Sequence, residues 1–216
     1  MIKLMEPQWG VNLLKSLFAW MNASPFWSYR IPVLADAFVF TYPVYLLMLY
    51  GYGMALTWKH GNMEKWKHGM QYKISAVFIF CGTVLSFLAN IFVQFFVDKV
   101  RPNVVLGLAD LKHETILNGL MPSSSFPSGH AVVSMSIAFA SIARGVKNKD
   151  KKYFRFGGVL IIFSLITSLS RVTTAVHRPT DVIAGSVIGI IVPWVLTNKK
   201  IYGLIECLGR WIGKII

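Results

Sequence analysis

Long apolar runs constrain this chain more than any other feature. The run from Ile74 to Val97 contains no charged residue, and the run from Ile31 to Trp58 contains only Asp36. A helix of about 20 mostly apolar residues crosses the hydrocarbon core of a bilayer. Since both runs are long enough, each predicts a membrane-spanning helix.

Three shorter apolar runs lie near the lower length limit for a span: Pro127–Ala143, Phe154–Ser170 and Val182–Asn198. They bring the number of predicted spans to five. Residues 1–29 carry apolar residues at helical spacing interrupted by polar ones, which favours an amphipathic helix on the membrane surface over a sixth span. The predicted fold class is all-α: a polytopic transmembrane helical bundle of five to six spans with an amphipathic N-terminal helix.

The composition excludes a soluble globular domain. Only 14% of the residues are charged and 55% are hydrophobic, whereas soluble domains carry about 25% charged residues. The net charge is +13, but the basic residues gather in segments that begin at Lys59, Arg144 and Lys199 and share one side by parity. Positive charge marks the cytoplasmic side, so the excess indicates topology rather than nucleic-acid binding. Two cysteines are too few for a disulfide scaffold or a cysteine-rich zinc site.

Residues suited to chemistry gather at the opposite membrane face. Parity places three clusters there: Arg101-Pro102, Pro127-Ser128-Gly129-His130, and Ser170-Arg171 with His177 and Asp181. Arginine side chains suit phosphate, and Ser128 and Gly129 precede a predicted helix whose first N–H groups favour an anion. One histidine can attack as a nucleophile while the other transfers protons.

Asp181 follows His177 by four residues, which puts its carboxylate within reach of the imidazole if the corner leads into a helix. It would then fix the tautomer of the ring, as the aspartate of a catalytic triad does. Its alternative interpretation is a capping carboxylate in the first turn of the fifth span. Each residue of the three clusters has a structural interpretation of its own, but their convergence on one face favours phosphoryl transfer.

These motifs closely resemble the signature of the type 2 phosphatidic acid phosphatase superfamily. The motif P-S-G-H is intact at residues 127–130, and S-R-x5-H-x3-D is intact from Ser170 to Asp181. In K-x6-R-P, Arg101 keeps its place but Gln94 replaces the lysine. Gln94 lies seven residues before Arg101, on nearly the same face of a helix, so it is a candidate site residue that donates a hydrogen bond but brings no positive charge to the phosphoryl group.

The resemblance, which covers residues 31–198, implies a role for each matched residue. His177 attacks phosphorus and becomes a phosphohistidine, Asp181 orients it, and His130 protonates the leaving oxygen and then activates water. The implied phosphate-binding residues are Arg101, Ser128, Gly129 and Arg171. Lys99 compensates for Gln94 only if the helix ends before it. The resemblance implies no metal and no other cofactor.

The resemblance also implies one integral membrane phosphatase domain over residues 1–216. An interfacial helix is expected at 1–29, a catalytic bundle at 30–198 and a cytoplasmic-side tail at 199–216. The small size resembles bacterial members that hydrolyse undecaprenyl diphosphate to undecaprenyl phosphate. This predicts a multi-pass protein of the bacterial plasma membrane whose active site faces outside. Its implied partners are a lipid phosphate and the bilayer, with no nucleic acid and no obligate protein partner.

The shared motifs leave several alternatives open. Other family members hydrolyse phosphatidylglycerol phosphate, phosphatidic acid or lipid A phosphates, and residues 103–126 are expected to cover the site and shape headgroup choice. Transfer of phosphate to another lipid instead of water is a further alternative. A non-catalytic lipid carrier is disfavoured, because a binding site would not need both histidines and Asp181.

Overall fold

The computed structural model describes residues 2–3, 5–58, 63–105 and 124–215. In that part of the chain the helices are α1 (Gln8–Asn22), α2 (Pro25–Ala37), α3 (Thr41–Trp58), α4 (Met63–Phe96), α5 (Pro102–Val105), α6 (Gly129–Asn148), α7 (Lys151–Thr173), α8 (Pro179–Val195) and α9 (Lys199–Ile215). A single 3-10 turn, Phe38–Phe40, links α2 to α3. Two short strands, β1 (Ile2–Lys3) and β2 (Val97–Asp98), pair in parallel. The predicted all-α helical fold is confirmed.

Within the described residues, four helical segments are long and apolar enough to cross a membrane: Pro25–Trp58, Met63–Phe96, Gly129–Asn148 and Lys151–Thr173. They correspond to the first four predicted spans. The fifth corresponds to α8, which has 17 residues, as many as the predicted run, but begins at Pro179 rather than Val182. It counts as a crossing only together with α9, to which it is bent by 83°. Helix α1 has 15 residues, fewer than the roughly 20 that a span requires.

The first membrane segment and the C-terminal tail differ from what the sequence predicted. Helix α2 begins at Pro25, a residue type favoured at the first helical position, so the first membrane segment starts before the predicted boundary at residue 30. The predicted tail is the amphipathic helix α9, in which Tyr202 and Ile205 are buried while Leu204 and Trp211 are exposed. Its buried face packs on the bundle, so the C-terminal segment belongs to the helical core.

The bundle is apolar outside and rich in small polar side chains inside. Large apolar residues such as Phe92 on α4 and Leu165 on α7 are exposed. Inside, the hydroxyl oxygens of Ser134 and Ser164 lie 2.7 Å apart across the α6–α7 contact. Small polar residues allow helices to approach closely in lipid, and an apolar exterior suits contact with acyl chains. The burial pattern therefore fits a polytopic membrane protein.

Arg144 has a structural role that the topology argument did not predict. It is fully buried and donates hydrogen bonds of 3.0 Å to the Ser75 hydroxyl and of 3.0 Å to Gln71 Oε1. It also forms an ion pair of 3.0 Å with Glu206. These contacts tie α6 to α4 and α9 at the end predicted to be cytoplasmic, so this arginine holds helices together rather than marking a surface loop.

The opposite end of the bundle, here called the site end, brings together the ends of α4 and α7 and the starts of α6 and α8. Backbone hydrogen bonds join them, from Asn103 N to Ala175 O at 3.0 Å and from Ser128 N to Asp181 O at 2.9 Å. A Cβ at Gly185 would lie 2.6 Å from the Ser128 carbonyl oxygen, so the close approach of α8 requires glycine there. The motifs that parity assigned to one face thus lie at one end.

Helix α1 covers part of the site end. Helix α1 packs there, with Leu14 buried against Val172 and Ala175. Of the segment 103–126 that was expected to cover the site, residues 106–123 lie outside the described residues.

Candidate active site

His177 lies in the corner between α7 and α8 and is 4% exposed. Its Nδ1 lies 2.9 Å from the backbone carbonyl oxygen of Ser125. Because a carbonyl oxygen only accepts hydrogen bonds, Nδ1 carries the hydrogen of the neutral ring and Nε2 keeps its lone pair. The imidazole is therefore held with one nitrogen available for nucleophilic attack.

The surroundings of His177 favour its neutral form. Burial holds the pKa of His177 well below its usual value of 6.5, and the positive charges of Arg101 and Arg171 lower this pKa further. Both arginines therefore lie near enough to act on the ring electrostatically. At neutral pH the Nε2 lone pair is unprotonated, as a nucleophile requires.

The lowered pKa of His177 predicts acid sensitivity. The unfolded chain gains a proton on this residue near pH 6.5, about the model-peptide value, whereas the folded chain gains it only at lower pH. The free energy of unfolding therefore falls as the pH drops through that window. We expect the thermal midpoint of the wild type to fall relative to that of His177→Gln between about pH 8 and about pH 5.5. A constant difference between the two midpoints would mean that His177 titrates normally.

Asp181 adjoins His177 without a hydrogen bond to it. Its Oδ2 lies 3.9 Å from His177 Nδ1 and accepts hydrogen bonds from Ser125 Oγ at 3.1 Å and from the backbone N–H of Arg178 at 2.8 Å. The hydrogen bond that fixes the tautomer is donated by His177 Nδ1 to the backbone carbonyl of Ser125. Ser125 was not predicted as a site residue, although it lies only two residues before the P-S-G-H motif. The contact with Arg178 agrees with the capping interpretation, so Asp181 also fixes the start of α8.

Lys99 faces Asp181 rather than the phosphate-binding side chains. Its Nζ lies 2.7 Å from Asp181 Oδ1, 2.9 Å from Glu6 Oε2 and 2.7 Å from Thr180 Oγ1. The side chains of Lys99 and Asp181 are 2% and 0% exposed. Helix α4 ends at Phe96, before Lys99, and Lys99 thus pairs with the carboxylate beside the predicted nucleophile. Glu6, which lies before α1, was not predicted as part of this cluster.

Replacing Lys99 with methionine should destabilise the fold. The change leaves two carboxylates, Glu6 and Asp181, buried without their cation, which typically costs about 3–5 kcal/mol. The measurement is the free energy of unfolding in detergent. Lys152→Met is the matched control, because Lys152 is exposed on α7 and surface changes stay within about 0.5 kcal/mol. A loss below about 1 kcal/mol for Lys99→Met would contradict a buried ion pair.

Gln94, which replaces the family's lysine, supports the P-S-G-H segment. Its Nε2 donates a hydrogen bond of 3.0 Å to the carbonyl oxygen of Pro127. One helical turn earlier, Asn90 faces the start of α6, where a Cβ at Gly129 would lie 3.7 Å from Asn90 Nδ2. That is an ordinary contact, so packing does not require glycine at position 129. The N-terminal turn of α6 is therefore held from α4 through Gln94.

The start of α6 is suited to an anion. Helix α6 begins at Gly129, and the first N–H groups of a helix have no partners within it. Among the described residues, Ser128 Oγ and Arg171 Nε are buried polar atoms without a hydrogen-bond partner. Buried donors normally find acceptors, so these two suit an oxygen ligand such as a phosphoryl group.

His130, on the first turn of α6, faces Arg171 near the end of α7. Arg171 Nη2 lies 2.6 Å from Nδ1 and 2.5 Å from Nε2 of the ring. Asp36 completes this group, since its Oδ1 lies 3.2 Å from Arg171 Nη2 and 3.3 Å from His130 Nε2. Asp36 was not predicted as a site residue, although it is the one charged residue in the first apolar run.

The fold and this group of side chains define a polytopic helical membrane protein in which two histidines and Arg171 gather at one end of the bundle. Residues 73–202 match the family described as the PAP2 superfamily. The match covers more than half of the chain, so the protein belongs to the PAP2 superfamily, as the motifs indicated.

Two relatives illustrate the family. The chain is 29% identical over 148 residues to the undecaprenyl-diphosphatase BcrC of Bacillus subtilis, covering 68% of this chain and 66% of the relative. It is 26% identical over 180 residues to a PA-phosphatase related-family protein of Dictyostelium discoideum, covering 79% of this chain and 63% of the relative. The chain thus spans slightly less than two thirds of the length of each. No solved structure matches it significantly.

Proposed function

We propose that this protein is a membrane lipid phosphatase that releases phosphate from a lipid phosphate or diphosphate through a phosphohistidine at His177. Undecaprenyl diphosphate is the favoured substrate and undecaprenyl phosphate the product. One observation carries the proposal: His177, His130 and Arg171 meet at one end of an apolar bundle, beside buried donors that lack a partner. Membership of the PAP2 superfamily and the similarity to BcrC support it.

The first half of the reaction transfers the phosphoryl group to the protein. Nε2 of His177 forms a bond to phosphorus while the bond from phosphorus to the leaving oxygen breaks. His130 gives its proton to that oxygen. The non-bridging oxygens are bound by Arg101, Arg171, Ser128 and the first N–H groups of α6, because charge stabilisation and positioning dominate phosphoryl transfer.

The second half uses water. His130, now unprotonated, takes a proton from a water molecule as the water oxygen bonds to phosphorus and the N–P bond breaks. Phosphate leaves, His130 is protonated again, and Nε2 of His177 regains its lone pair. The carboxylate of Asp181, 3.9 Å from the ring, stabilises the positive charge that His177 carries while it is phosphorylated. The proposed residues supply this chemistry without a metal, so we propose that phosphate release persists in the presence of a chelator.

The proposed site opens toward the outer face of a bacterial plasma membrane. The basic residues Lys65, Lys147 and Lys199 belong to the other end of the bundle and would face the cytoplasm by the positive-inside rule. A lipid whose phosphate lies at the outer surface would reach the site end from the bilayer. The partners proposed are therefore the lipid substrate and the bilayer itself.

The proposal is tested by phosphate release from purified full-length protein in detergent with EDTA. The substrates are undecaprenyl diphosphate, phosphatidylglycerol phosphate, phosphatidic acid and lipid A, with His177→Ala as the blank. Fastest release from undecaprenyl diphosphate supports the proposal. Fastest release from phosphatidic acid would replace undecaprenyl diphosphate as the proposed substrate, in line with the similarity to a PA-phosphatase related-family protein. Release from no lipid would overturn the proposal, and release only with an acceptor lipid present would indicate transfer.

A further inference from the structure

Asp36 is a charged residue in the first membrane segment, and the reaction described above does not use it. Its position is fixed by its neighbours on both sides along the chain. Ala35 is buried, and the ring of Phe38 stacks on that of Phe163 in α7 with centroids 4.7 Å apart. The packing of α2 and its following turn against α7 therefore carries the carboxylate to the site end.

The carboxylate of Asp36 contacts both cationic groups of the proton-transfer side of the site. Oδ1 lies 3.3 Å from His130 Nε2 and 3.2 Å from Arg171 Nη2. Arg171 is 5% exposed, His130 25% and Asp36 36%, so Asp36 lies on the more open side of the pair. Ionisable residues in membrane segments are costly and usually functional, and this one contacts two of the predicted site residues.

We propose that Asp36 is a positioning residue that orients His130 and stabilises its protonated ring during proton transfer to the leaving oxygen. The inference rests on the proposed phosphatase function. Asp36 itself neither gains nor loses a proton. The proton of His130 moves to the leaving oxygen as the P–O bond breaks, and a proton from water replaces it in the second step. A carboxylate beside an imidazole has the same orienting role in catalytic triads.

The same contacts have an opposite effect on substrate binding. In this arrangement Asp36 Oδ1 lies within hydrogen-bonding distance of Arg171, which the phosphoryl oxygens would also contact. Its negative charge therefore repels an entering phosphate while it supports the proton donor. Neutralising Asp36 should separate the two effects: anion binding should become tighter while turnover becomes slower.

Asp36→Asn tests this inference, because it removes the charge and keeps the size. We expect kcat with the lipid substrate to fall about 100-fold, the lower range for general acid–base catalysis, and inorganic phosphate to inhibit at lower concentrations. With 4-nitrophenyl phosphate, whose leaving group needs no proton donor, the initial burst of nitrophenolate should slow by less than about tenfold. Asp36→Glu should restore part of the lost kcat.

Asp150→Asn is the matched control. Asp150 caps α7 at the far end of the bundle, where its Oδ1 accepts a hydrogen bond of 2.9 Å from Lys152 N, and asparagine caps equally well. A merely structural role of Asp36 would slow both substrates alike and weaken phosphate inhibition. That result, or an unchanged kcat in Asp36→Asn, would overturn the inference. If the wild-type protein hydrolyses neither substrate, that result overturns the proposed phosphatase function, on which this inference rests.

Discussion

Replacing His177 with alanine is expected to abolish phosphate release from every lipid substrate. Nε2 of this residue is the atom that bonds to phosphorus, and the Ser125 carbonyl and the lowered pKa keep that atom unprotonated. Loss of a nucleophile typically costs a factor of about a million in kcat. The measurement is the steady-state rate of phosphate release at saturating substrate.

A histidine elsewhere in the chain provides the control for this variant. His68 lies on α4 at the other end of the bundle, with its ring 5.1 Å from that of Tyr72. We expect His68→Ala to keep a rate close to that of the wild type. If His177→Ala retained a tenth or more of the wild-type rate, about 1.4 kcal/mol in the barrier, the assignment of the nucleophile would be wrong.

Replacing Asp181 with asparagine is expected to lower kcat by about 10²- to 10⁴-fold in a protein that still folds. The amide oxygen can still accept the N–H of Arg178 and cap α8. It no longer supplies the negative charge 3.9 Å from the His177 ring, which stabilises the cationic phosphorylated imidazole. It also leaves Lys99 paired with Glu6 but not with residue 181.

The Asp181 variant separates the two interpretations of this carboxylate. If Asp181 only capped α8, asparagine would be an equally good cap and turnover would be unchanged. The informative comparison is kcat beside the thermal midpoint, with Asp150→Asn as the control for a cap far from the site. A small change in the midpoint with a large loss of kcat is the expected pair of results. Full activity would show that Asp181 is a structural residue.

Hydrophobic length is a local property of a sequence, and for this reason the spans were predictable. The uncharged run from Ile74 predicted α4, and the shorter runs predicted α6 and α7. Helix α9 was missed because its first residues, Lys199 and Lys200, mark a membrane boundary equally well. Helix α9 packs on the bundle through Tyr202 and Ile205, and a contact of this kind depends on tertiary structure.

The partners of the motif residues could not be predicted in the same way. His177 and Ser125 are separated by 52 residues, and Glu6 and Lys99 by 93, so only packing brings each pair together. Gln94 was predicted as a candidate site residue without the lysine's charge, because the motif fixes its place but not its direction. In the structure its amide donates a hydrogen bond to the Pro127 carbonyl. Gln94 therefore positions the P-S-G-H segment.

The central claim is that the phosphoryl group passes through His177. The direct test is rapid mixing of the protein with lipid diphosphate radiolabelled in the terminal phosphate, followed by an alkaline quench and peptide mapping, since phosphohistidine survives base and is lost in acid. His130→Ala serves to slow the water step. We predict base-stable label on the peptide that contains His177 and none in His177→Ala. Label on another residue, or normal phosphate release with no labelled protein within the first turnover, would contradict the claim.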